Sequence, residues 1–136
     1  MEDFNRNLIA DLRAHEGKAT SGPFVGRDVV IVTNRGAKSG EPRETPLAYT
    51  RDGEAFVIIA SKGGAPTHPG WYHNLKAHPR VTLEVGVEKF KAEAREEEGA
   101  ERNRLFDAMS TRLPGFKDYQ ANTDRVIPVF TLRRVS

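Results

Sequence analysis

A glycine-bounded turn in the first third of the chain combines two cations with a hydroxyl. Residues 36–43 read Gly-Ala-Lys-Ser-Gly-Glu-Pro-Arg, which places Lys38, Ser39 and Arg43 close together. Glycines let backbone N–H groups turn toward an anion, and the cations add charge-assisted hydrogen bonds. The segment lacks the Gly-Lys-Ser/Thr ending and the following helix of a P-loop. The segment could bind an anion such as phosphate. Taken by itself, however, it favours the alternative interpretation, an ordinary hairpin whose charges are solvated.

A second glycine turn follows an apolar run. It consists of Ser61, Lys62, Gly63 and Gly64, a position where several N–H groups and one cation can face the same ligand. A Gly-Gly pair is costly in conformational entropy for an ordinary loop, which indicates a close approach of its backbone to another group. A β-bulge explains the pair equally well from the sequence.

Aromatic side chains come directly after this turn. Pro69, Trp71, Tyr72 and Asn74 lie in one short segment, and Trp71 is the only tryptophan of the chain. Such side chains could hold a flat heterocycle against the protein. Core or helix packing is the commoner use of a lone tryptophan, and it remains the alternative.

Metal and hydrolase chemistry find little support in the sequence. His68, His73 and His78 recur at intervals of five, which turns successive side chains to different faces of a helix and breaks the four-residue spacing of a metal pair. We therefore expect no metal site. The absence of cysteine excludes disulfides and thiolate chemistry. Neither a Gly-x-Ser-x-Gly elbow nor a His-Glu-x-x-His motif is present.

Length and composition indicate a single domain over residues 1–136. The chain is 38% hydrophobic and 29% charged, and no apolar run approaches the ~20 residues that cross a bilayer. Residues 1–6 lack the layout of a signal peptide, so a cytoplasmic location is expected. The net charge is only +2, and the basic residues sit in turns. We therefore expect no nucleic-acid partner and no integral membrane segment.

Hydrophobic spacing predicts the elements of the first half. Phe4, Leu8 and Leu12 recur at intervals of four, which predicts a helix ended by Gly17 within a peripheral arm over residues 1–25. Apolar and β-branched runs predict strands at 29–33, at 45–49 with a start near residue 43, and at 55–60, with a tight Asp-Gly turn at 52–53. We expect these three strands to form a meander.

The second half alternates helices with strands. A short helix is predicted over 71–75 and ends before Pro79, and alternation predicts an antiparallel pair at 81–85 and 90–94. A helix over 98–111, a shorter segment reaching Tyr119 and a strand at 126–132 complete the chain. Hairpins without regular βαβ crossovers favour an α+β antiparallel barrel.

Taken in order, these segments resemble the deazaflavin-dependent nitroreductase family, small split-barrel oxidoreductases related in fold to FMN-binding proteins. The resemblance runs from about residue 29 to residue 132. It rests on linked motifs: Gly-Ala-Lys-Ser-Gly-x-Pro-Arg-x-Thr-Pro-Leu at 36–47, Asp-Gly at 52–53, Ala-Ser-Lys-Gly-Gly at 60–64, His-Pro-x-Trp-Tyr-x-Asn-Leu-x-Ala-His-Pro at 68–79 and Tyr-Gln-x-x-Thr-Asp-Arg-x-Ile-Pro at 119–128. It implies an α+β antiparallel split β-barrel with flanking helices.

The resemblance also implies a cofactor, coenzyme F-420, a deazaflavin with a phosphate and an oligoglutamate tail, lying across the barrel mouth. The residues that it implies for coenzyme binding are Lys38, Ser39, Arg43, Thr45, Pro46, Leu47, Ser61, Lys62, Gly63, Gly64, Pro69, Trp71, Tyr72 and Asn74. Tyr119 and Ser61 are the implied catalytic candidates, and lid packing is the alternative for Tyr119. The chain departs from the family at Ala37, where a second cation is usual, and at Leu113 and Phe116, where tyrosines are frequent.

The activity implied by the resemblance is hydride transfer from reduced F-420 to a quinone, a nitroaromatic or an activated enone. Two alternatives remain open at this point: an FMN-dependent split-barrel reductase and a noncatalytic deazaflavin carrier. The expected partner is a small-molecule acceptor, and a homodimer is left open. A quinone acceptor would favour a location peripheral to the membrane.

Overall fold

The computed structural model describes residues 2–135, which form seven strands, four α-helices and one short 3-10 helix. The strands are β1 (Val29–Arg35), β2 (Pro42–Ala48), β3 (Thr50–Asp52), β4 (Ala55–Ile59), β5 (Arg80–Val85), β6 (Glu88–Glu97) and β7 (Val129–Arg134). The helices are α1 (Glu2–Ala14), α2 (Gly70–Ala77), α3 (Gly99–Arg112) and α4 (Gly115–Ala121), and the 3-10 helix covers Lys62–Gly64. The four α-helices and most of the strands lie close to their predicted positions, whereas β3 and the 3-10 helix were not predicted.

All seven strands belong to one sheet, and every neighbouring pair is antiparallel. The strand order is β2-β1-β5-β6-β7-β4-β3. The two edge strands, β2 and β3, are consecutive in the chain and are separated by Tyr49 alone. In a flat sheet with a strand spacing of ~4.8 Å these edges would lie roughly 29 Å apart. One intervening residue spans at most about 7 Å, so the sheet has to curl until its edges meet. The prediction of an antiparallel split barrel is confirmed.

The prediction of a three-stranded meander is wrong. Strand β2 pairs with β1 through Val29↔Ala48 to Arg35↔Pro42, but β4 pairs with β3 and β7 and not with β2. Strand β3 follows β2 in nearly unbroken extension and changes partner at Tyr49. The tight turn at Gly53, whose φ is +60°, therefore joins β3 to β4. The error arose because pairing partners depend on contacts distant in sequence.

Three apolar clusters surround and fill the barrel. The interior cluster is formed by Val30, Val32, Phe56, Ile58, Leu75, Val81, Leu83, Ala92, Ala94, Phe130 and Leu132. Helix α3 covers the outer face of β4 and β7 with Leu105, Phe106 and Met109. Because β1 and β4 are covered on both faces, they are continuous apolar runs rather than alternating ones.

Helix α1 packs on the outer face of β1. Leu8, Ile9 and Leu12 are buried against the outward side chains of that strand. The helix is followed by Gly17, whose φ is +88° and whose N–H donates to the Leu12 carbonyl at 2.7 Å. The predicted end of the helix is thereby confirmed, and the N-terminal arm contacts the barrel directly. No helix in residues 2–135 combines the length and apolar composition that a bilayer crossing requires.

The last strand begins later than predicted. Residues 126–128 precede β7, although Ile127 is fully buried beside α3. Pro128 has no N–H to contribute to a ladder, and its carbonyl accepts a bond from the Ala60 N–H at 2.9 Å. Regular pairing therefore starts at Val129.

Candidate functional site

The two glycine turns lie at the same end of the barrel. From β1 through β5, β6 and β7 to β4 the strand direction reverses four times, so β1 and β4 run in the same direction. The turn after β1 (residues 36–40) and the loop after β4 (residues 60–68) therefore leave the barrel together. We call this the upper end. The predicted binding site requires both glycine turns at the same end of the barrel, and the structure places them there.

A buried pair of carboxamides joins the 36–40 turn to α2. The Asn74 Nδ2 donates to the Asn34 Oδ1 at 2.7 Å, and the Asn74 Oδ1 accepts from the Ala37 N–H at 2.9 Å. Asn34 and Asn74 are both buried. Because its oxygen and one amide hydrogen are used within the protein, Asn74 positions the turn, and its predicted contact with a coenzyme remains a prediction.

Most backbone N–H groups of the 36–40 turn have partners within the protein. The Gly36 N–H donates to the Glu41 carbonyl and the Gly40 N–H to the Gly36 carbonyl, both at 2.9 Å. The Glu41 N–H donates to the Ser39 Oγ at 3.2 Å. The shape of the turn is therefore fixed by its own bonds. The N–H groups of Lys38 and Ser39 have no partner among residues 2–135, so the turn offers these two amides as well as its side chains to an anion.

Cations at the upper end have no acidic partners. Arg35, Lys38, Arg43 and Lys62 take part in none of the ion pairs found among residues 2–135. All four are exposed. Some cations elsewhere are paired, as Lys76 is with Glu96 at 2.8 Å, whereas others in the described part of the chain, such as Lys89 and Lys91, are not. The upper end therefore carries uncompensated positive charge.

Arg125 holds the 60–68 loop. Its guanidinium donates to the carbonyls of Ala60 at 3.1 Å, Ser61 at 2.7 Å and Ala65 at 2.8 Å. It also contacts the His68 Nδ1 at 3.0 Å. Four acceptors of one loop thus converge on a single side chain.

A second layer supports Arg125. The Gln120 Nε2 donates to the Arg125 carbonyl at 2.8 Å, and the Gln120 Oε1 accepts from the Ile127 N–H at 3.0 Å and from the Arg102 guanidinium at 2.9 Å. Arg102 also donates to the Ile127 carbonyl. Helices α3 and α4 are in this way bonded to the segment that carries Arg125.

His68 lies between Arg125 and the aromatic residues of α2. Its ring stacks on Tyr72 with a centroid distance of 4.1 Å and an interplanar angle of 32°. Burial, followed by the charges of Arg125 and His73, lowers the pKa of His68, and Glu96 opposes this shift. A guanidinium only donates, so the His68 Nδ1 must be the acceptor and a neutral ring carries its proton on Nε2.

Trp71 and Tyr72 are fixed against the barrel interior. Both rings meet Phe130 edge-on, with centroid distances of 5.8 Å and 5.7 Å. The Tyr72 hydroxyl donates to Glu96 at 3.4 Å, and burial raises the pKa of Tyr72, as does the charge of Glu96. The aromatic wall is therefore held in place by the core and carries a protonated phenol.

The residues predicted on β2 divide between two faces. Arg43, Thr45 and Leu47 lie opposite Asn34, Val32 and Val30, the inward side chains of β1. Pro46 lies opposite Ile31, on the face that is covered by α1. Pro46 is thus not brought together with Thr45 and Leu47.

A groove of about 540 Å³ lies along β2 beside α1. Arg43 and Thr45 line it together with Arg6 and Arg13, whereas the 60–68 loop and α2 are not part of its lining. Its volume falls within the range typical of ligand sites. The groove therefore adjoins the upper end at Arg43 without spanning both glycine turns.

Gly64 lies close to the backbone of α4, which explains why a residue without a Cβ is needed there. A Cβ at this position would lie 2.8 Å from the Tyr119 carbonyl oxygen, and the φ of Gly64 is +83°. The close approach indicated by the Gly-Gly pair is thus an approach to α4. Gly63 lies in the 3-10 helix, and its predicted contact with a coenzyme stays a prediction.

Tyr119 and Ser61 both take part in the surroundings of Gly64, because the Tyr119 carbonyl lies against it and the Ser61 carbonyl accepts from the Gly64 N–H. Tyr119 is partly exposed, and its ring packs edge-on against Phe116 at 5.8 Å. The Ser61 hydroxyl makes no hydrogen bond to the other described residues, although the Ser61 carbonyl is bound by Arg125. Neither hydroxyl is hydrogen-bonded to another of residues 2–135.

The polar residues that hold the candidate site together are not evident from the sequence. Asn34 and Arg102 were not singled out, and Arg125 and Gln120 were noted only as members of a motif. A carboxamide ending an otherwise apolar strand was the available signal for Asn34. Nothing local marks the partners of Arg102.

Replacement of Gly64 by alanine tests the contact with α4. Gly53 provides a matched control, because its φ is +60° but nothing lies within 4 Å of an added Cβ. We expect Gly53→Ala to lower the free energy of unfolding by about 1 kcal/mol through backbone strain. Gly64→Ala should cost a further ~1 to 3 kcal/mol, because the Tyr119 backbone has to shift. Equal urea midpoints for the two variants would contradict this account.

Comparisons with known proteins identify the family. The family model described as F420H(2)-dependent quinone reductase matches residues 4–134. An F420H(2)-dependent quinone reductase of Mycobacterium tuberculosis is 42% identical over 108 residues, which cover 77% of this chain and 72% of the relative.

Solved structures agree in fold. An F420-H2 dependent reductase is 41% identical, with a TM-score of 0.73, and the match covers 79% of this chain and 95% of that chain. A structure described as a domain-swapped dimer is 35% identical, with a TM-score of 0.74, and the match covers 97% and 98% of the two chains. The resemblance found in the sequence is confirmed, and the family's cofactor is F-420 rather than FMN. The chain belongs to the family of F-420-dependent quinone reductases.

Proposed function

We propose that this protein uses reduced coenzyme F-420 to reduce a quinone at the upper end of the barrel. The observation that carries the proposal is the presence of four cations without acidic partners, Arg35, Lys38, Arg43 and Lys62, at one end of the barrel. A phosphate and a chain of carboxylates would supply the missing negative charge. When bound, the coenzyme supplies the hydride.

The residues at this end fit the remaining parts of such a coenzyme. Trp71 and Tyr72 offer a rigid apolar wall for a flat ring, because Phe130 and Glu96 hold them. Thr45 and Leu47 present their side chains from β2 on the interior side. The groove beside Arg43 gives a long anionic tail room to continue along β2.

The acceptor requires a hydrogen-bond donor at the oxygen that gains charge. The exposed hydroxyl of Tyr119 and the unbonded hydroxyl of Ser61 are the groups that can supply one beside the 60–68 loop. Their role in this protein is to orient the acceptor and to stabilise the developing oxyanion. Nitroaromatics and activated enones are further candidate acceptors, because they also gain charge on oxygen.

The double variant Lys38→Ala/Lys62→Ala tests the anchoring of the coenzyme. We expect its Kd for F-420 to rise about 10- to 100-fold, because two charge-assisted contacts worth about 1.4 to 3 kcal/mol together are lost. The melting temperature should change little, since both side chains are exposed. Lys89→Ala/Lys91→Ala, which removes two exposed lysines of β6, is the charge-matched control. An unchanged Kd in the first variant would remove the anchoring role.

The variant Tyr119→Phe tests the acceptor contact. It keeps the ring against Phe116 and removes only the hydroxyl. We expect the rate of reoxidation of bound coenzyme by a quinone to fall about 100-fold, while the Kd for the coenzyme stays the same. Stopped-flow absorbance measures this rate. A wild-type rate in the variant would leave Ser61 as the remaining candidate, and a wild-type enzyme no faster than free coenzyme would favour a carrier.

We also propose that the chain forms a homodimer. Support comes from the solved structure described as a domain-swapped dimer, which matches nearly the whole chain. Light scattering after gel filtration should give about twice the 15.1 kDa chain mass. A single species at the chain mass would contradict a stable dimer.

A further inference from the structure

We propose that Arg125 is a positioning residue that shapes the 60–68 loop so that Ser61 and Lys62 face the coenzyme, and that it requires neutral His68 as one of its partners. This inference rests on the proposed function, since it explains how that coenzyme site is kept in shape. It gives a role to two residues that make no proposed contact with the coenzyme or the acceptor.

The loop needs an external support because its conformation is unfavourable by itself. Lys62 has a φ of +47°, in the left-handed region that side-chain-bearing residues avoid. Within the loop the Gly64 N–H donates to the Ser61 carbonyl and the Ala65 N–H to the Lys62 carbonyl. These two bonds close a single short turn. The loop carbonyls of Ala60, Ser61 and Ala65 are all held by Arg125.

Only a guanidinium can satisfy this set of acceptors. Nε reaches the Ala65 carbonyl, one terminal nitrogen serves both the Ala60 carbonyl and His68, and the other serves the Ser61 carbonyl. The planar fork offers five donors in fixed directions, whereas a lysine offers a single nitrogen. Because all three nitrogens of Arg125 point into the loop, its effect on binding passes through Ser61 and Lys62.

The His68 contact makes this support sensitive to acid. Arg125 cannot accept a hydrogen bond, so a proton on the His68 Nδ1 would face a permanent positive charge across 3.0 Å. The charged and titratable groups that face His68 are Arg125, His73, Glu96 and Tyr72, with Lys76 paired to Glu96. Burial comes first, and Arg125 next, among the causes that lower the pKa of His68.

The direction of the pH effect follows from that shift. The folded protein takes up this proton at lower pH than the unfolded chain does. The Arg125-bound conformation of the 60–68 loop is therefore most stable at a pH above the ordinary pKa of histidine. It loses stability as the pH falls below that value. Coenzyme affinity should decline in the same direction.

Hydrogen exchange without coenzyme tests the support directly. In Arg125→Met we expect the amides of Ala60, Gly64 and Ala65 to exchange at least tenfold faster, with amides of β1 and β5 unchanged. Arg112→Met, which alters an exposed arginine at the end of α3, is the matched control and should exchange like the wild type. Unchanged exchange in the loop would overturn the positioning role, whatever the protein binds.

Coenzyme titration followed by the fluorescence of Trp71 supplies the second measurement. Arg125→Met and Arg125→Lys should both raise the Kd for F-420 at least tenfold, while the hydride-transfer rate at saturating coenzyme falls less than threefold. Wild-type affinity in both variants would overturn the inference but leave the proposed function standing. Absence of binding by the wild type would instead overturn the proposed function, and hydrogen exchange would still decide whether Arg125 holds the loop.

A pair of histidine variants isolates the acid effect. His68→Asn keeps an acceptor oxygen near the Nδ1 position but cannot be protonated, and His73→Asn removes the neighbouring histidine. Between about pH 8 and about pH 5, where histidine changes charge, the wild type and His73→Asn should lose affinity more steeply than His68→Asn. The difference between profiles cancels any titration of the coenzyme itself. Identical profiles for His68→Asn and the wild type would overturn the requirement for neutral His68.

Discussion

Tyr49 imposes the constraint on which the rest of the structure depends. This one residue connects strands at opposite ends of the sheet order, so the sheet cannot remain open. Closure turns the apolar faces of β1, β4, β5, β6 and β7 toward a common interior. It also draws residues 36–40, which follow β1, toward residues 60–68, which follow β4 at the same end of the barrel. The site is thus a product of barrel closure rather than of any one motif.

Two networks of polar side chains fix the conformations of the 36–40 turn and the 60–68 loop at this end of the barrel. Asn74 and Asn34 fix the 36–40 turn, and Arg125 fixes the 60–68 loop, each through backbone groups. Buried or partly buried polar groups are costly unless paired, so these bonds stabilise the loops as well as shape them. What remains for an incoming anion is side-chain charge, with two amides of the turn, on a frame that is already ordered. Such a frame loses little conformational entropy on binding.

Local patterns predicted most of the fold because the elements are locally consistent. The β-branched run of β1 and the spaced apolar residues of α3 identify their own conformations without reference to partners. Pairing could not be read in this way: β2 pairs with β1 as predicted, but its predicted pairing with β4 is wrong. The start of β7 was misplaced because an apolar run does not reveal that Pro128 interrupts the ladder.

The site was predictable to a different extent. Linked motifs singled out Lys38, Lys62 and the Trp-Tyr segment as candidates, because their order and spacing resemble a known family. The residues that hold them could not be inferred in the same way: Asn34 meets Asn74 across 40 positions of the chain, and Arg125 meets Ser61 across 64. A long polar side chain has many partners within its reach, and only the folded barrel selects among them.

The anchoring of Ala37 through its backbone has an evolutionary consequence. Since Asn74 binds the amide of residue 37 and not its side chain, the 36–40 turn keeps its course whatever side chain stands there. Lineages could exchange cationic, neutral or hydroxyl groups at positions 37 and 38, away from the Ser39 hydroxyl that accepts the Glu41 N–H, and so drift toward ligands of different charge. The barrel would not have to be rebuilt at any step of that path.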